Sequence, residues 1–412
     1  MRDSIQPDTK PFPQFAKNFF ANCNIVLKVI LCLNYRMFIL ENPYVSKLML
    51  ETMQKNRFEV LDNSVAREFD YDLNLVKGSC DKIYSNSENS IDWVLSNNSE
   101  VARLINICKN KYEFRKALKS VYPNFFFDEI TDLDKADISD YPEQFIIKPS
   151  VGFLSMGVHK VSSHSQWKNV VERLKSEVRD FASNFPEAVL SSSSFIVEEI
   201  LKGDEFAVDA YYDDNGKPVI LNIFQHPFVS EDDVSDRAYI TSKEIIEENL
   251  EQFQNVLENI GKALDMRNFP IHIELIKGKE IVPVEINPMR FAGWCTTDLA
   301  YYAYGINIYE YFQNNLKPDW SKIQGGKIYY FAMAETPQDI EKDKINFDYD
   351  ALEKSFSKIL DFRKINYLEK PLFAVIFGEA QNMDEINRIL QLDMKDFIST
   401  RLCEQEPSQA LS

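Results

Sequence analysis

Apolar and polar residues alternate along two neighbouring stretches of the chain, residues 271–275 and 282–287. This two-residue period is typical of half-buried β-strands, in which successive side chains point to opposite faces. A short segment containing Gly278 separates the two stretches, so the pattern predicts a β-hairpin. One face of this hairpin would be apolar. The other would carry three side chains with oxygen donors, namely Glu274, Glu285 and Asn287.

The polar face of the hairpin has two interpretations. Carboxylate and amide oxygens are ligands for hard cations such as Mg²⁺, which proteins commonly hold through one or two carboxylates together with substrate phosphates. A solvated sheet face that binds nothing would show the same pattern. The hairpin alone does not distinguish the two.

A strand–helix–strand pattern occupies the N-terminal part of the chain. Residues 38–40 and 58–61 are short apolar runs, and residues 46–55 between them carry apolar positions at helical spacing. This order predicts a parallel α/β sheet. No glycine-rich turn follows the first strand, so a dinucleotide-binding Rossmann site is poorly supported there. We interpret this region as a support domain.

Two lysines occupy notable positions in the middle of the chain. Lys111 lies within a helical pattern over residues 101–121, and Lys148 ends an apolar strand just before the glycine-bounded loop 152–157. That loop has G-x-x-x-x-G spacing, but residues 158–159 replace the Lys-Ser/Thr pair of a P-loop. The glycines still allow backbone N–H groups to approach phosphate oxygens. A plain turn remains the alternative.

A second polar group begins in the predicted apolar strand at residues 195–201. This strand contains two adjacent glutamates, and a short linker with one glycine leads from it to Glu205. The Asn215-Gly216 pair predicts a hairpin turn before the strand at residues 218–224. A helical pattern over residues 245–264 then leads to the polar hairpin.

The C-terminal part repeats an α/β pattern without a concentrated polar motif. We predict strands at residues 328–333 and 371–377 and helices at 349–362 and 383–397. The chain is therefore expected to be an α/β protein in three parts. The predicted parts are an N-terminal domain at residues 1–110, whose residues 1–36 form an extension, a core at 111–322 and a smaller α/β domain at 323–412.

Composition excludes several classes of protein. The chain has 412 residues and a formal net charge of -18, which argues against a general nucleic-acid-binding surface. Its six cysteines form no CxxC or Cys/His cluster, a usage that suits reduced thiols in a cytoplasmic protein. The apolar run at residues 25–33 is too short to span a bilayer and contains Lys28. It leaves a weak case for membrane association.

Four motifs occur in a characteristic order. They are Asn110-Lys111-x-x-x-Arg115, Ile-Ile-Lys148-Pro-Ser-Val-Gly152, Val-Glu198-Glu199-Ile-Leu-Lys-Gly203-Asp-Glu205, and His272-x-Glu274 followed by Glu285-Ile-Asn287-Pro. Together they resemble the ATP-grasp superfamily, and the matching stretch runs from about residue 111 to residue 320. The resemblance implies a two-lobed ATP-grasp core that holds a nucleotide between its lobes.

The resemblance also implies roles for the nucleotide-binding residues. Lys111 and Lys148 would contact the α- and β-phosphates of ATP, which suits a compact ammonium charge. Glu198 would bind the adenine amino group and Glu205 the ribose hydroxyls. The remaining expected contacts are the lid over the triphosphate (Gly152, Ser155, Met156 and Gly157) and the hinge that pairs with the adenine ring (Glu199, Ile200 and Leu201).

By the same resemblance, Glu274, Glu285 and Asn287 would hold one or two Mg²⁺ ions, for which Mn²⁺ can substitute. His272 is expected to be a packing residue or a residue behind the ligands. Many family members have an arginine two residues after the metal-binding asparagine, but here Met289 occupies that position and Arg290 follows it. A shift of one residue on an extended segment reverses the side-chain direction. We assign the catalytic arginine role to Arg290 and name Arg237 as a candidate for gripping the acid substrate.

The resulting functional hypothesis is an ATP- and Mg²⁺-dependent ligase. It would activate a small-molecule carboxylate as an acyl phosphate and join it to an amine or thiol, with release of ADP and phosphate. Nucleic acid and membrane are not expected as partners. The alternatives are a small-molecule kinase on the same fold and a non-catalytic ATP-binding regulatory or scaffold protein.

Overall fold

The computed structural model describes residues 36–41, 44–62, 82–91, 94–95, 99–152, 157–182, 194–228, 237–337 and 340–400. The predicted extension, including residues 25–33, lies outside these ranges, as do Ser155 and Met156. None of the helices within the described ranges combines the length and the apolarity needed to span a bilayer.

The N-terminal sheet has the predicted strand–helix–strand order. Its elements are β1 (Arg36–Leu40), α1 (Lys47–Asn56), β2 (Glu59–Asp62) and β3 (Lys82–Ser85). The strands described there pair in parallel in the order β2-β1-β3. Because β2 and β3 lie on opposite sides of β1, the carboxyl ends of β1 and β3 flank a point where the strand order reverses.

A four-stranded antiparallel sheet follows, in the order β4-β7-β5-β6. The elements of this region are α2 (Ser99–Lys109), α3 (Lys111–Ala117), β4 (Phe127–Ile130), β5 (Phe145–Pro149), β6 (His159–Val161), α4 (Trp167–Ala182) and β7 (Phe195–Glu199). Phe145, Ile147 and Val197 pack with Leu174 of α4 in one buried cluster. The amphipathic helix α4 therefore covers one face of this sheet.

The largest sheet has eight strands in the order β12-β11-β8-β9-β10-β13-β16-β15. The first five strands in this order are β8 (Asp204–Tyr212), β9 (Pro218–Gln225), β10 (Ala238–Thr241), β11 (Phe269–Lys277) and β12 (Ile281–Pro288). Along the chain, helix α5 (Lys243–Leu264) lies between β10 and β11. Ile271, Ile273 and Leu275 of β11 lie in the same core cluster as Phe253 and Leu257 of α5. Strand alternation consequently places His272 and Glu274 on the face away from α5.

The C-terminal part of the chain completes this same sheet. Its elements are α6 (Leu299–Tyr304), α7 (Ile308–Asn314), β13 (Ile328–Glu335), β14 (Ile345–Phe347), α8 (Tyr349–Lys354), β15 (Ile359–Lys364), β16 (Leu372–Ala380), α9 (Met383–Leu390) and β17 (Ile398–Thr400). Strand β13 pairs with both β10 and β16, so the sheet continues across the predicted division at residues 322/323. That division stays a prediction.

The predicted helix at residues 349–362 is wrong in its second half. Helix α8 ends at Lys354, and Ile359–Lys364 forms the edge strand β15 against β16. The two serines at positions 355 and 357 interrupt the helical pattern, and pairing with β16 overrides what remains of it. Helix α9 is likewise shorter than predicted, since it ends at Leu390 rather than at residue 397.

Candidate functional site

The hairpin of β11 and β12 places Glu274 directly opposite Glu285 and His272 opposite Asn287. Near the turn, Lys277 pairs with Ile281 and Leu275 with Pro283, a register that would bring Val284 opposite Glu274. A β-bulge at Val284 shifts the register by one residue. Because neighbouring side chains alternate in direction, the bulge brings Glu285 rather than Val284 to the face of Glu274.

Lys111 reaches this pair of carboxylates from another part of the chain. It is the first residue of α3, where Asn110 accepts backbone N–H groups as the N-cap. Its Nζ lies 3.0 Å from Glu285 Oε2 and donates to the Gly152 carbonyl at 2.9 Å. Burial alone would lower the pKa of Lys111, but Glu285, Glu198 and Glu274 outweigh burial and raise it. The lysine is therefore a fixed cation beside the two opposed carboxylates.

Glu198 lies between two buried cations. Its Oε2 is 2.6 Å from Lys148 Nζ, and its Oε1 accepts a hydrogen bond from Arg115 Nε. Burial alone would raise the pKa of Glu198, but Lys148 and Arg115 lower it to about 2. Arg115 belongs to the first of the four motifs, but the sequence alone assigned it no role. Both carboxylate oxygens of Glu198 already have cationic partners. Its predicted contact with an adenine amino group would therefore add a further donor to an oxygen that already binds Lys148 or Arg115.

The predicted hinge lies against the turn of the polar hairpin. A Cβ atom on Gly203 would lie 2.3 Å from the Lys277 carbonyl oxygen, and one on Gly278 would lie 2.1 Å from that of Lys202. Only glycine fits such a close approach of two backbones. The linker between the four-stranded sheet and the eight-stranded sheet is consequently held against the turn of the polar hairpin.

The other hinge residues differ in their surroundings. The Glu199 backbone N–H donates to the Phe126 carbonyl, and its carboxylate accepts from the Phe126 N–H at 3.3 Å. Ile200 is half-buried, and Leu201 packs against the main core. Glu205 is half-buried at the start of β8, and its backbone carbonyl accepts from His226. Of the lid residues, Gly157 adopts φ +68° beside Pro149.

Arg290 lies in a charge cluster that sequence reasoning did not identify. Its Nη2 is 3.0 Å from Glu88 Oε1, while Lys109 Nζ is 2.5 Å from Glu88 Oε2. Burial would raise the pKa of Glu88, but Lys109 and Arg290 lower it to about 2. Met289 adopts φ 67°, so the chain is not extended there and strand alternation does not set the direction of Arg290.

Lys109 connects this cluster to the opposed carboxylates Glu274 and Glu285. Burial by itself raises the pKa of Glu285, but Lys111, Lys109 and Lys148 reverse that effect and lower it. Lys109 is the last residue of α2, two positions before Lys111, and the break at Asn110 directs both lysines to the site. That short spacing is the signal that could have identified Lys109. Glu88 has no comparable signal in its Ser/Asn-rich segment.

The structure does not bring Arg237 to this site. Arg237 is exposed and donates to the Leu390 carbonyl at 3.0 Å, at the end of α9. It precedes β10, which is separated from β11 by both β8 and β9. Its predicted role in gripping the acid substrate has no support in this geometry.

His272 lies beside Glu274 on the same face of the sheet, opposite Asn287, and its ring contacts a buried carboxylate. Its Nδ1 lies 2.8 Å from Asp209 Oδ1, and the same oxygen accepts the Ala292 backbone N–H at 2.8 Å. Asp209 is fully buried. This contact ties the backbone after Arg290 to the central strands of the sheet.

The donor set at the hairpin fits Mg²⁺. Among the described residues, no group of three or more His, Cys, Asp or Glu side chains could hold a metal. Glu274, Glu285 and Asn287 instead supply two carboxylates and an amide. Asn287 Nδ2 donates to Glu285 Oε1 at 3.3 Å, which fixes the amide beside that carboxylate. Two carboxylates beside Lys111, Lys109 and Lys148 suit a divalent cation bound together with a polyphosphate.

Comparisons with known proteins agree with this arrangement. Residues 141–298 match the model of the ATP-grasp domain family. No curated protein matches the chain in sequence.

Solved structures with a similar fold cover nearly the whole chain. The L-amino acid ligase from Bacillus licheniformis matches with a TM-score of 0.63 at 15% identity, over 89% of this chain and 99% of that one. The biotin carboxylase from Campylobacter jejuni, in complex with β-γ-ATP, matches with a TM-score of 0.61 at 10% identity, over 88% and 92%. N5-carboxyaminoimidazole ribonucleotide synthetase from Thermotoga maritima matches with a TM-score of 0.60 at 12% identity, over 89% and 99%.

Proposed function

Because residues 141–298 form an ATP-grasp domain and the chain is thus a member of the ATP-grasp superfamily, we propose that it is an ATP- and Mg²⁺-dependent ligase. It activates a small-molecule carboxylate as an acyl phosphate and joins the acyl group to an amine or thiol. ADP and phosphate are the other products. The similar solved structures include an L-amino acid ligase, a biotin carboxylase and an N5-carboxyaminoimidazole ribonucleotide synthetase, which supports this class of reaction.

The observation that carries the proposal is the opposed pair Glu274 and Glu285 with Lys111 held at 3.0 Å from the second carboxylate. A bare pair of carboxylates on a sheet face needs no buried lysine. A buried lysine beside such a pair suits a nucleoside triphosphate bound with a divalent cation, because it balances charge on the phosphates. Lys148 and Lys109 add further positive charge near Glu285.

The residues of the site have separate roles in binding Mg²⁺ and the parts of ATP. Glu274, Glu285 and Asn287 would hold Mg²⁺, which when bound neutralises charge on the β- and γ-phosphates. Lys111 and Lys148 contact the α- and β-phosphates. The lid from Gly152 to Gly157 covers the triphosphate, and the hinge from Glu199 to Leu201 pairs with the adenine while Glu205 accepts the ribose hydroxyls.

Two displacements make up the reaction. A carboxylate oxygen of the acid attacks the γ-phosphorus, and the bond from that phosphorus to the β,γ-bridging oxygen breaks, so ADP leaves. The amine nitrogen or thiol sulfur then attacks the acyl carbon and loses a proton, and the C–O bond to phosphate breaks. Catalysis is mainly positioning and charge stabilisation, in which Arg290 contacts the transferring phosphoryl group.

The test is a screen of carboxylic acids with ATP, Mg²⁺ and hydroxylamine. A ligase releases ADP and forms an acyl hydroxamate, since hydroxylamine traps the acyl phosphate. A stable phosphorylated product without hydroxamate would favour the kinase alternative. ATP binding with no ADP released for any acid and nucleophile would overturn the proposal and favour a regulatory or scaffold protein.

A further inference from the structure

A cavity of about 300 Å³ lies in the C-terminal part of the chain, between helix α9, strands β13 and β16 and the turn after α8. Tyr330 of β13, Ala380 of β16, Ser357 of the turn and Arg388 of α9 are among the residues that line it. Its volume is at the lower end of the range of small-molecule sites, roughly 300–1,000 Å³.

This cavity is separate from the candidate ATP site. Tyr330 and Ile240 belong to one buried cluster, against which Ile245 of α5 packs, so Tyr330 lies on the face of the large sheet that α5 covers. Glu274 lies on the other face of that sheet. Three strands, β8, β9 and β10, also separate β11 from β13.

The ring of Tyr330 is held in a defined position at this cavity. It lies across strand β16, because Tyr330 is paired with Gly378, and a Cβ atom on Gly378 would lie 2.1 Å from the Tyr330 hydroxyl oxygen. The Phe356 ring stacks on it with centroids 6.1 Å apart. Only glycine leaves room for a ring so close to the backbone. The position of the hydroxyl is therefore set by a strand and a second ring.

The Tyr330 hydroxyl is buried without a hydrogen-bond partner among the described residues, and the residue is 1% exposed. Other buried tyrosines are paired, as Tyr212 is with the Leu257 carbonyl at 2.8 Å. Burial and then Glu385 raise the pKa of Tyr330, so the hydroxyl keeps its proton and can donate. A phenylalanine would fill the same space without the cost of an unpaired donor. The hydroxyl thus points to an acceptor that a ligand in the cavity supplies.

The acidic residues that line the cavity are already engaged. Glu385 Oε2 accepts the Gln381 backbone N–H at 2.6 Å, and its Oε1 accepts from the Ser357 hydroxyl. Glu379 forms ion pairs with two lysines at 2.7 and 2.9 Å. These carboxylates therefore have protein partners and do not call for a cationic ligand.

Arg388 is the basic residue of the lining. It is exposed on α9, and its guanidinium forms no hydrogen bond or ion pair with another residue that the structure describes. An anion would satisfy both this cation and the Tyr330 hydroxyl, and a carboxylate accepts hydrogen bonds from both kinds of donor. Ala380, Ile389 and Leu392 supply an apolar wall, which suits a ligand with an apolar body.

We propose that this cavity binds a small organic anion, whose carboxylate accepts a hydrogen bond from the Tyr330 hydroxyl and faces the Arg388 guanidinium while its apolar body lies against Ile389 and Leu392. The cavity is thus a second binding site, on the opposite face of the sheet from Glu274. The inference does not rest on the proposed ligase function, because it concerns binding in the absence of ATP.

The test is calorimetric titration of the full chain without ATP. The probes are phenylacetate and isovalerate, and the controls are phenylacetamide, which lacks the charge, and inorganic phosphate, which lacks the apolar body. We expect at least one carboxylate to bind saturably, with one molecule per chain, and neither control to bind. Failure of both carboxylates to saturate would show a cavity that holds water only and would overturn the inference. Equal binding of either control would also overturn it.

Variants locate the binding site. Tyr330→Phe and Arg388→Gln should each raise the Kd of the carboxylate by about 10- to 100-fold, the effect of losing one hydrogen bond to a charged group. Lys354→Gln removes an exposed charge from α8 outside the lining, and Arg290→Ala alters the candidate ATP site; both should leave the Kd unchanged. An unchanged Kd in Tyr330→Phe or Arg388→Gln, or a raised Kd in either control variant, would place the binding elsewhere and overturn the inference.

Thermal unfolding gives a readout that does not depend on the choice of probe. Without ligand, Tyr330→Phe should keep or raise the Tm, since it removes an unpaired buried hydroxyl. A clear loss of Tm would show that the hydroxyl already has a partner within the folded protein, such as a bound water, and would overturn the inference.

Discussion

Glu274 and Glu285 face each other across two strands because one extra residue, Val284, bulges out between the hairpin turn and the pair. The turn centres on Lys279, which by itself would bring an apolar side chain opposite Glu274. The chemistry proposed for this chain thus depends on a local irregularity in an otherwise regular hairpin. Bulges commonly redirect a side chain next to an active site.

Glu274→Gln should abolish most Mg²⁺-dependent turnover while leaving the fold intact. Removing one carboxylate charge from the proposed metal pair is expected to lower kcat by about 10²–10³, comparable to the loss of a single electrostatic group in an active site. Glu280→Gln, in the exposed turn of the same hairpin, is the matched control and should behave as wild type. ADP release as a function of Mg²⁺ concentration measures the effect, and equal Mg²⁺ dependence in both variants would contradict the metal assignment.

Arg290→Ala should depress turnover far more than ATP affinity. Arg290 borders the carboxylates through Glu88 and Lys109, so its loss removes charge stabilisation at the transferring phosphoryl group, worth about 10²–10³ in kcat. Arg237→Ala is the same change at an exposed position against α9 and should leave steady-state kinetics unaltered. If Arg237→Ala instead raised the KM of the acid, Arg237 would contact the acid substrate after all.

Glu198 should make stability depend on acid pH. Its pKa falls from 4.5 to about 2 in the folded protein, so its stabilising contribution is fully present above about pH 5 and is lost as pH falls through 2. The shift corresponds to stabilisation on the order of 3 kcal/mol, since one pKa unit is about 1.4 kcal/mol. Glu198→Gln should lower the urea midpoint at pH 7, because it leaves Lys148 and Arg115 buried without their partner.

The same variant should also flatten the pH dependence of stability between pH 5 and pH 2. Urea unfolding of both proteins at several pH values within that window gives the comparison. Glu129→Gln, a change to a carboxylate on the neighbouring strand β4, is the control for a general loss of negative charge. Parallel stability curves for wild type and Glu198→Gln would refute the ion-pair account.

Gly203→Ala should disturb the hinge more than a comparable glycine change elsewhere. The new Cβ would lie 2.3 Å from the Lys277 carbonyl oxygen, so the linker and the hairpin turn must separate. Gly305→Ala is matched, since Gly305 also has a positive φ but no atom within 4 Å of its Cβ position. We expect Gly203→Ala to be less stable than Gly305→Ala by about 1–3 kcal/mol and to have a higher KM for ATP. Equal stability would show that the close contact does not constrain the hinge.

The structure agrees with the sequence most closely where local patterns govern. The alternation of residues 271–275 predicts β11, and the apolar run, helix and apolar run after residue 37 predict the parallel N-terminal sheet. The pattern fails at residues 359–364, where serines weaken a helix and an edge strand forms on β16 instead. Short amphipathic segments have no strong preference of their own, so a sheet edge nearby decides their conformation.

The amino-acid sequence by itself indicated the superfamily, the polar face of the hairpin and the order of the lysines and glutamates, because these depend on residue type and spacing along single strands and turns. Tertiary structure alone decided which of these groups meet. Arg115 and Glu198 are 83 residues apart and Arg290 and Glu88 are 202 apart, distances over which spacing carries no directional information. The bulge at Val284 and the left-handed Met289 reset side-chain direction within one residue. Side-chain direction follows from backbone dihedral angles, and those are set by packing that a linear pattern does not contain.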